Sequence, residues 1–184
     1  MRQSSRSSHP RRLTRFLVQA GLLFANVTGA LGADLTWSLV KKAIRLQYST
    51  VTQISTDSLA AWLARADTTR PLLLDIRAPE EYQVSHLLNA RLAPDLDRAL
   101  ELLTAAPTDT PIVAYCSVGY RSSKLIEQLQ QAGYTRVFNL EGSIFAWANE
   151  GFPVYRDSVE VKEVHPYNDS WGRLLKRDRR ARKK

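Results

Sequence analysis

The run Pro111-Ile112-Val113-Ala114-Tyr115-Cys116-Ser117-Val118-Gly119-Tyr120-Arg121-Ser122 carries the chain's single cysteine between an apolar, strand-like segment and a helix-like segment over 122–132. A strand feeding a tight loop and then a helix gathers the loop's backbone N–H groups around one point, at the positive end of the helix dipole. Anions are stabilised there, and a thiolate is an anion. Cys116 so placed is expected to have a depressed pKa and to be nucleophilic near neutral pH. A lone cysteine is otherwise a small buried hydrophobe. Gly119 lets the backbone curl and Arg121 brings positive charge, which favours the reactive reading.

With 184 residues the chain can hold one ordinary domain plus extensions, and its apolar content is that of a packed core. One cysteine excludes an internal disulfide and a zinc site built from several thiolates. His9, His86 and His165 are scattered, so neither metal nor cofactor is expected. The net charge of +8 sits at the ends. Residues 1–15 carry +5 and residues 172–184 carry +7, leaving −4 on residues 16–171. A mildly acidic body argues against nucleic-acid binding as the main task, and no specific nucleic-acid partner is expected. The basic run 176–184 is expected to be a solvated, disordered tail, with contact to RNA or anionic lipid as its alternative use.

Residues 1–33 read as a leader: an arginine-rich start, an apolar run over 16–27, and a small-residue exit over 28–33. Three readings stand: a cleaved export signal, a retained segment in contact with a membrane, or a start placed upstream of the true one. The first two give a periplasmic or membrane-anchored protein and the third a cytoplasmic one. Residues 34–50 form a connector, amphipathic over 39–48.

The domain proper is expected over 51–155. Short strands are expected at 51–55, 71–76, 90–93, 111–115 and 136–140. Helices are expected at 58–66 (capped by Thr56 and Asp57), 79–85, 95–106, 122–132 and 143–149. The continuous apolar run 71–76 is typical of a strand buried on both faces. Strands alternating with helices give an α/β fold, a central parallel sheet with helices on both faces and ligands at the strands' carboxyl ends. Residues 156–184 read as a polar, then basic, C-terminal tail.

Three segments together resemble a single-domain rhodanese, a sulfurtransferase. Leu74-Asp75-Ile76-Arg77 with Glu81-Tyr82, His86-Leu87 and Ala90 resembles the family's first signature, and the loop from Cys116 to Ser122 resembles its active-site loop. Leu140-Glu141-Gly142-Ser143 through Trp147, then Gly151-Phe152-Pro153-Val154, resembles its closing signature. Ser85, Asn89 and Ser143 stand where the signatures have glycine, in turns remote from the loop in sequence.

The resemblance implies that Cys116 takes a sulfane sulfur from a donor such as thiosulfate. It would hold it as a persulfide and pass it to cyanide, another thiol or a protein acceptor. Ser117, Val118, Gly119, Tyr120, Arg121 and Ser122 would bind substrate, their N–H groups stabilising the persulfide. Arg121 either contacts an anionic donor or holds the loop. Asp75, Arg77 and Glu81 are expected to form a scaffold ion pair, Trp147 to be core, and His86 to have no catalytic role. Phosphatases and arsenate reductases are disfavoured, because their arginine comes six residues after the cysteine and here position six is Ser122. The competing class is a binding module, or a carrier that moves sulfur only between proteins.

Overall fold

The parallel sheet forms as the alternation of apolar runs and helices requires. In the computed structural model, residues 30–66 and 69–182 are described. Helix α1 (Ala30–Gln47) lies in one unit, and residues 48–182 lie in a second. The second unit contains β1 (Gln53–Ile54), α2 (Thr56–Ala64), β2 (Leu72–Asp75), α3 (Pro79–Val84), β3 (Arg91–Leu92), α4 (Leu96–Leu103) and β4 (Ile112–Tyr115). It continues through α5 (Tyr120–Gln131), β5 (Val137–Leu140), α6 (Ser143–Asn149), β6 (Val154–Arg156), β7 (Val159–Val161), α7 (Asp169–Gly172) and a 3-10 turn (Arg177–Arg179).

The five-stranded sheet has the order β1-β5-β4-β2-β3, and every pairing is parallel. All four residues of the central strand β4 are buried, as the apolar run predicts. Helix α2 packs with α6 and α4 with α5, two helical layers for a sheet covered on both faces. Helix starts follow local capping. The Ser55 side chain accepts from the Ser58 N–H, so α2 begins two residues earlier than its expected start. Asp95 caps α4 in the same way, accepting from the Arg98 N–H at 2.8 Å. Helix α5 starts at Tyr120 because Gly119 supplies a left-handed cap.

The amphipathic connector is part of helix α1, which begins at Ala30. The expected apolar leader segment over 16–27 lies outside the described residues. Among the described residues, no helix is long and apolar enough to cross a membrane. One expectation is corrected: residues 156–182, expected as a tail, are folded. Strands β6 and β7 pair antiparallel around Asp157, whose φ of 56° makes the turn. Val164, Leu174 and Leu175 are buried. Asn149 donates from its side-chain nitrogen to the Leu174 carbonyl at 2.7 Å and accepts from the Lys176 N–H at 2.8 Å. These buried positions come one or two at a time between polar residues, so no period betrays them.

Candidate active site

Cys116 follows the last residue of β4, at the carboxyl edge of the sheet, and is only 1% exposed. Gly119 has φ 109°, a conformation that side chains resist, and this curls the loop so that its own N–H points at the Cys116 Sγ at 3.1 Å. The Ser122 hydroxyl lies 3.6 Å from the same sulfur. The Ser122 backbone N–H also favours the ionised form of the sulfur. Burial alone pushes the Cys116 thiol up. The Arg121 charge and the Ser122 and Gly119 donors outweigh it, and the net direction is down.

The loop is held from two sides. On one side Arg121 donates from Nη1 to the Glu81 Oε2 and from Nη2 to the Glu81 Oε1, both at 3.0 Å. Its Nη2 also reaches the Ser117 Oγ at 3.0 Å, and Ser117 donates to Glu81 at 2.9 Å. Burial pushes the Glu81 carboxyl up, but Arg121, the Ala78 N–H and Ser117 bring it below its usual value. On the other side, α6 presents its first turn. The N–H groups of Ile144 and Phe145 donate to the carbonyls of Cys116 and Ser117, both at 3.2 Å. The Cys116 N–H donates to the Ser143 Oγ at 3.1 Å.

The remaining sequence candidates divide clearly. Val118 is buried, and Tyr120 packs edge-on against Tyr48 with centroids 5.5 Å apart. Asp75 and Arg77 form a fully buried pair at 2.6 Å, whereas Glu81 turns away from it to Arg121. His86 stacks on Tyr82 at 4.0 Å, and its backbone exchanges two hydrogen bonds of 2.8 Å with Tyr155. Trp147 is core, its Nε1 donating to the Pro153 carbonyl at 2.8 Å. Among the described residues, no group of three or more side chains could hold a metal ion.

Sequence reasoning missed three contributors. Ser143 lies remote in sequence but touches the loop, and its departure from glycine was the available signal. Tyr167, from the segment read as tail, sets its ring 4.9 Å from the Arg121 guanidinium. Glu81 was assigned to the wrong arginine, since spacing along α3 says nothing about a partner 40 residues away.

The electrostatics give a first prediction. Arg121→Met is expected to slow alkylation of Cys116 roughly tenfold near neutral pH, because the thiolate fraction falls when the positive charge is removed. In strong alkali, where both proteins are fully ionised, the two rates should meet. Parallel iodoacetamide rate profiles against pH make the comparison; a constant ratio at every pH would refute the electrostatic account.

Known proteins resemble the central part of this chain. A family model described as the rhodanese-like domain matches residues 55–150. A sulfurtransferase of Allochromatium vinosum is 38% identical over 104 residues, which cover 56% of this chain and 94% of that one. The probable adenylyltransferase/sulfurtransferase MoeZ of Mycobacterium tuberculosis is 35% identical over 102 residues, and the match spans 25% of its length. The solution structure of the rhodanese-like domain of the Anabaena protein Alr3790 superposes with a TM-score of 0.51 at 20% identity, over 58% of this chain and 80% of that one, a likeness of fold. With its central sheet, its cysteine loop and a match over half its length, the chain belongs to the rhodanese-like domain family.

Proposed function

We propose that this protein is a sulfurtransferase that moves a sulfane sulfur from a small donor such as thiosulfate to a thiophilic acceptor through a persulfide on Cys116. The observation that carries the reading is the Cys116 Sγ at the strand end, facing N–H and O–H donors from Gly119 and Ser122, with its pKa lowered. The Cys116 thiolate attacks the outer sulfur of thiosulfate. A new S–S bond forms as the old one breaks, and sulfite leaves with the bonding electron pair. The product, Cys116–S–S⁻, keeps its negative charge, and the same donors accommodate it. Cyanide or a thiolate then attacks the outer sulfur, thiocyanate or a new persulfide departs, and the Cys116 thiolate returns. The scheme uses the thiolate itself as nucleophile, and Arg121 with the Ser122 and Gly119 donors eases its ionisation, so no separate general base is called for.

Arg121 serves this scheme chiefly by holding the loop. Both of its terminal nitrogens are engaged by Glu81 and Ser117, leaving its charge to act on the thiolate from nearby. Beside the loop, Tyr120 and Arg121 line a groove of about 630 Å³ of mixed apolar and polar character, together with Ile76, Asp95, Leu125 and Gln128. A groove of that size admits small donors.

Intact mass of the purified protein, before and after thiosulfate and again after cyanide, tests the proposal. Gain of one sulfur atom, then its loss with release of thiocyanate, is the expected result. No adduct from thiosulfate or from a small persulfide would overturn small-molecule turnover. Loading only from a persulfidated protein would move the assignment to a protein-to-protein sulfur carrier.

A further inference from the structure

Parallel pairing of β4 with β5 proceeds in steps of two residues, and it stops where the chemistry begins. The Ile112 N–H donates to the Arg136 carbonyl at 2.9 Å, and the register continues to Ala114 against Asn139. Four residues beyond Ile112 and Arg136, the ladder would next join the Cys116 N–H to the Leu140 carbonyl. That bond is not made directly. The Ser143 hydroxyl occupies the gap, accepting from the Cys116 N–H at 3.1 Å and donating to the Leu140 carbonyl at 3.1 Å. Ser143 is wholly buried, with φ 52°. This left-handed conformation is one that a serine adopts only when its surroundings hold it there. The position corresponds to a glycine of the signature the chain resembles.

We infer that Ser143 is a positioning residue: its hydroxyl wedges β4 apart from β5 at Cys116 and so sets where the sulfur stands under the loop's donors. Two backbone groups that would otherwise pair with each other are both satisfied through it, and neither is left buried without a partner. The carbonyls of Cys116 and Ser117 are gripped by the next two N–H groups of α6, so the fixed point is the whole backbone at the base of the loop. Removing the hydroxyl lets the rung close, carrying Cys116 toward Leu140, or leaves its N–H to find another partner. Either change takes the sulfur out of register with the Gly119 N–H, 3.1 Å away, and the Ser122 hydroxyl.

The inference rests on Cys116 being the reactive thiol of the proposed sulfurtransferase, but its test does not use sulfur transfer. Full-length Ser143→Gly and Ser143→Ala are compared with wild type by iodoacetamide alkylation across pH, with thermal melting alongside. Both variants are expected to react roughly three- to tenfold more slowly near neutral pH, with a raised midpoint and rates that meet wild type in alkali. Glycine tolerates the left-handed φ, so this variant folds even where alanine does not. An unchanged or lowered midpoint in Ser143→Gly would overturn the inference, whatever happens to the melting temperature. So would a raised midpoint in Ser143→Ala alone, which would trace the effect to backbone strain. If wild type alkylates with a depressed midpoint yet takes no sulfur from any donor, the function proposed above fails while the role of Ser143 stands.

Discussion

Cys116→Ser is expected to abolish sulfur loading, at least about a thousandfold below wild type, while leaving the fold in place. A serine hydroxyl is not ionised near neutral pH, so it needs a neighbouring base to take its proton. The Gly119 N–H and the Ser122 O–H bond the sulfur, and both donate toward it. The nearby carboxylate, Glu81, is committed to Arg121, Ser117 and the Ala78 N–H. A loop built to receive a negative charge therefore has nothing with which to create one from serine. Stability responds differently, because the same donors satisfy a hydroxyl, and the change is expected to cost about 1 kcal/mol or less. Intact mass after thiosulfate and thermal melts near pH 6 check both halves. Substantial loading of the variant would remove Cys116 as nucleophile, and a collapse of the melting temperature would make it structural.

The depressed thiol adds a pH dependence to that comparison. Ionisation is easier in the folded protein than in the unfolded chain, so the thiolate stabilises the native state above the unfolded thiol's pKa, about 8.5. This contribution is lost as pH falls through the lower folded value. Wild type should therefore gain on Cys116→Ser in melts near pH 9.5 and lose that margin near pH 6. A difference that grew on acidification would contradict the direction of the shift.

The sequence made the sheet and the carboxyl edge that carries Cys116 readable for a physical reason. Strands buried in a parallel sheet read as apolar runs, as at 72–74 and 112–115, and helix caps such as Asp95 act within one turn. Such signals are local. The contacts that hold Cys116 are not. Ser143 meets the Cys116 N–H across 27 positions, and Glu81 meets Arg121 across 40. No periodicity encodes either distance. The folded segment after Arg156 was hidden differently. Its turn uses Asp157 in a left-handed conformation where glycine or asparagine would have signalled a hairpin, and Tyr167, at φ 61°, disguises a second bend. Signature glycines replaced by Asn89 and Ser143 still adopt positive φ, so the backbone demand persisted where the residue type had changed.

The largest loss of stability is expected from Asp75→Ala, about 3–5 kcal/mol. Asp75 ends β2 and Arg77 opens the turn into α3, and neither side chain is exposed. Arg77 donates from Nε at 2.9 Å and from Nη2 at 2.6 Å to the carboxylate, and Nη2 continues to the Ser85 carbonyl at 2.6 Å. Burial drives the guanidinium toward losing its charge, but Asp75 outweighs burial and holds its pKa above the usual value. Without the carboxylate, a full positive charge stays buried against Tyr115, whose ring lies 5.8 Å from it. A typical domain is stable by only about 5–15 kcal/mol, so the loss is a large fraction of the total. The damage should reach the site, because the pair ties both ends of α3 to the sheet, and α3 carries Glu81, the partner of Arg121. Asp75→Leu combined with Arg77→Met removes both charges and should recover most of the stability, since the cost lies in the orphaned ion rather than in the lost bond. Urea unfolding of the three proteins decides this. A double variant as unstable as Asp75→Ala would show that the hydrogen bonds to Ser85 and to the backbone, not the charge, hold this corner of the fold.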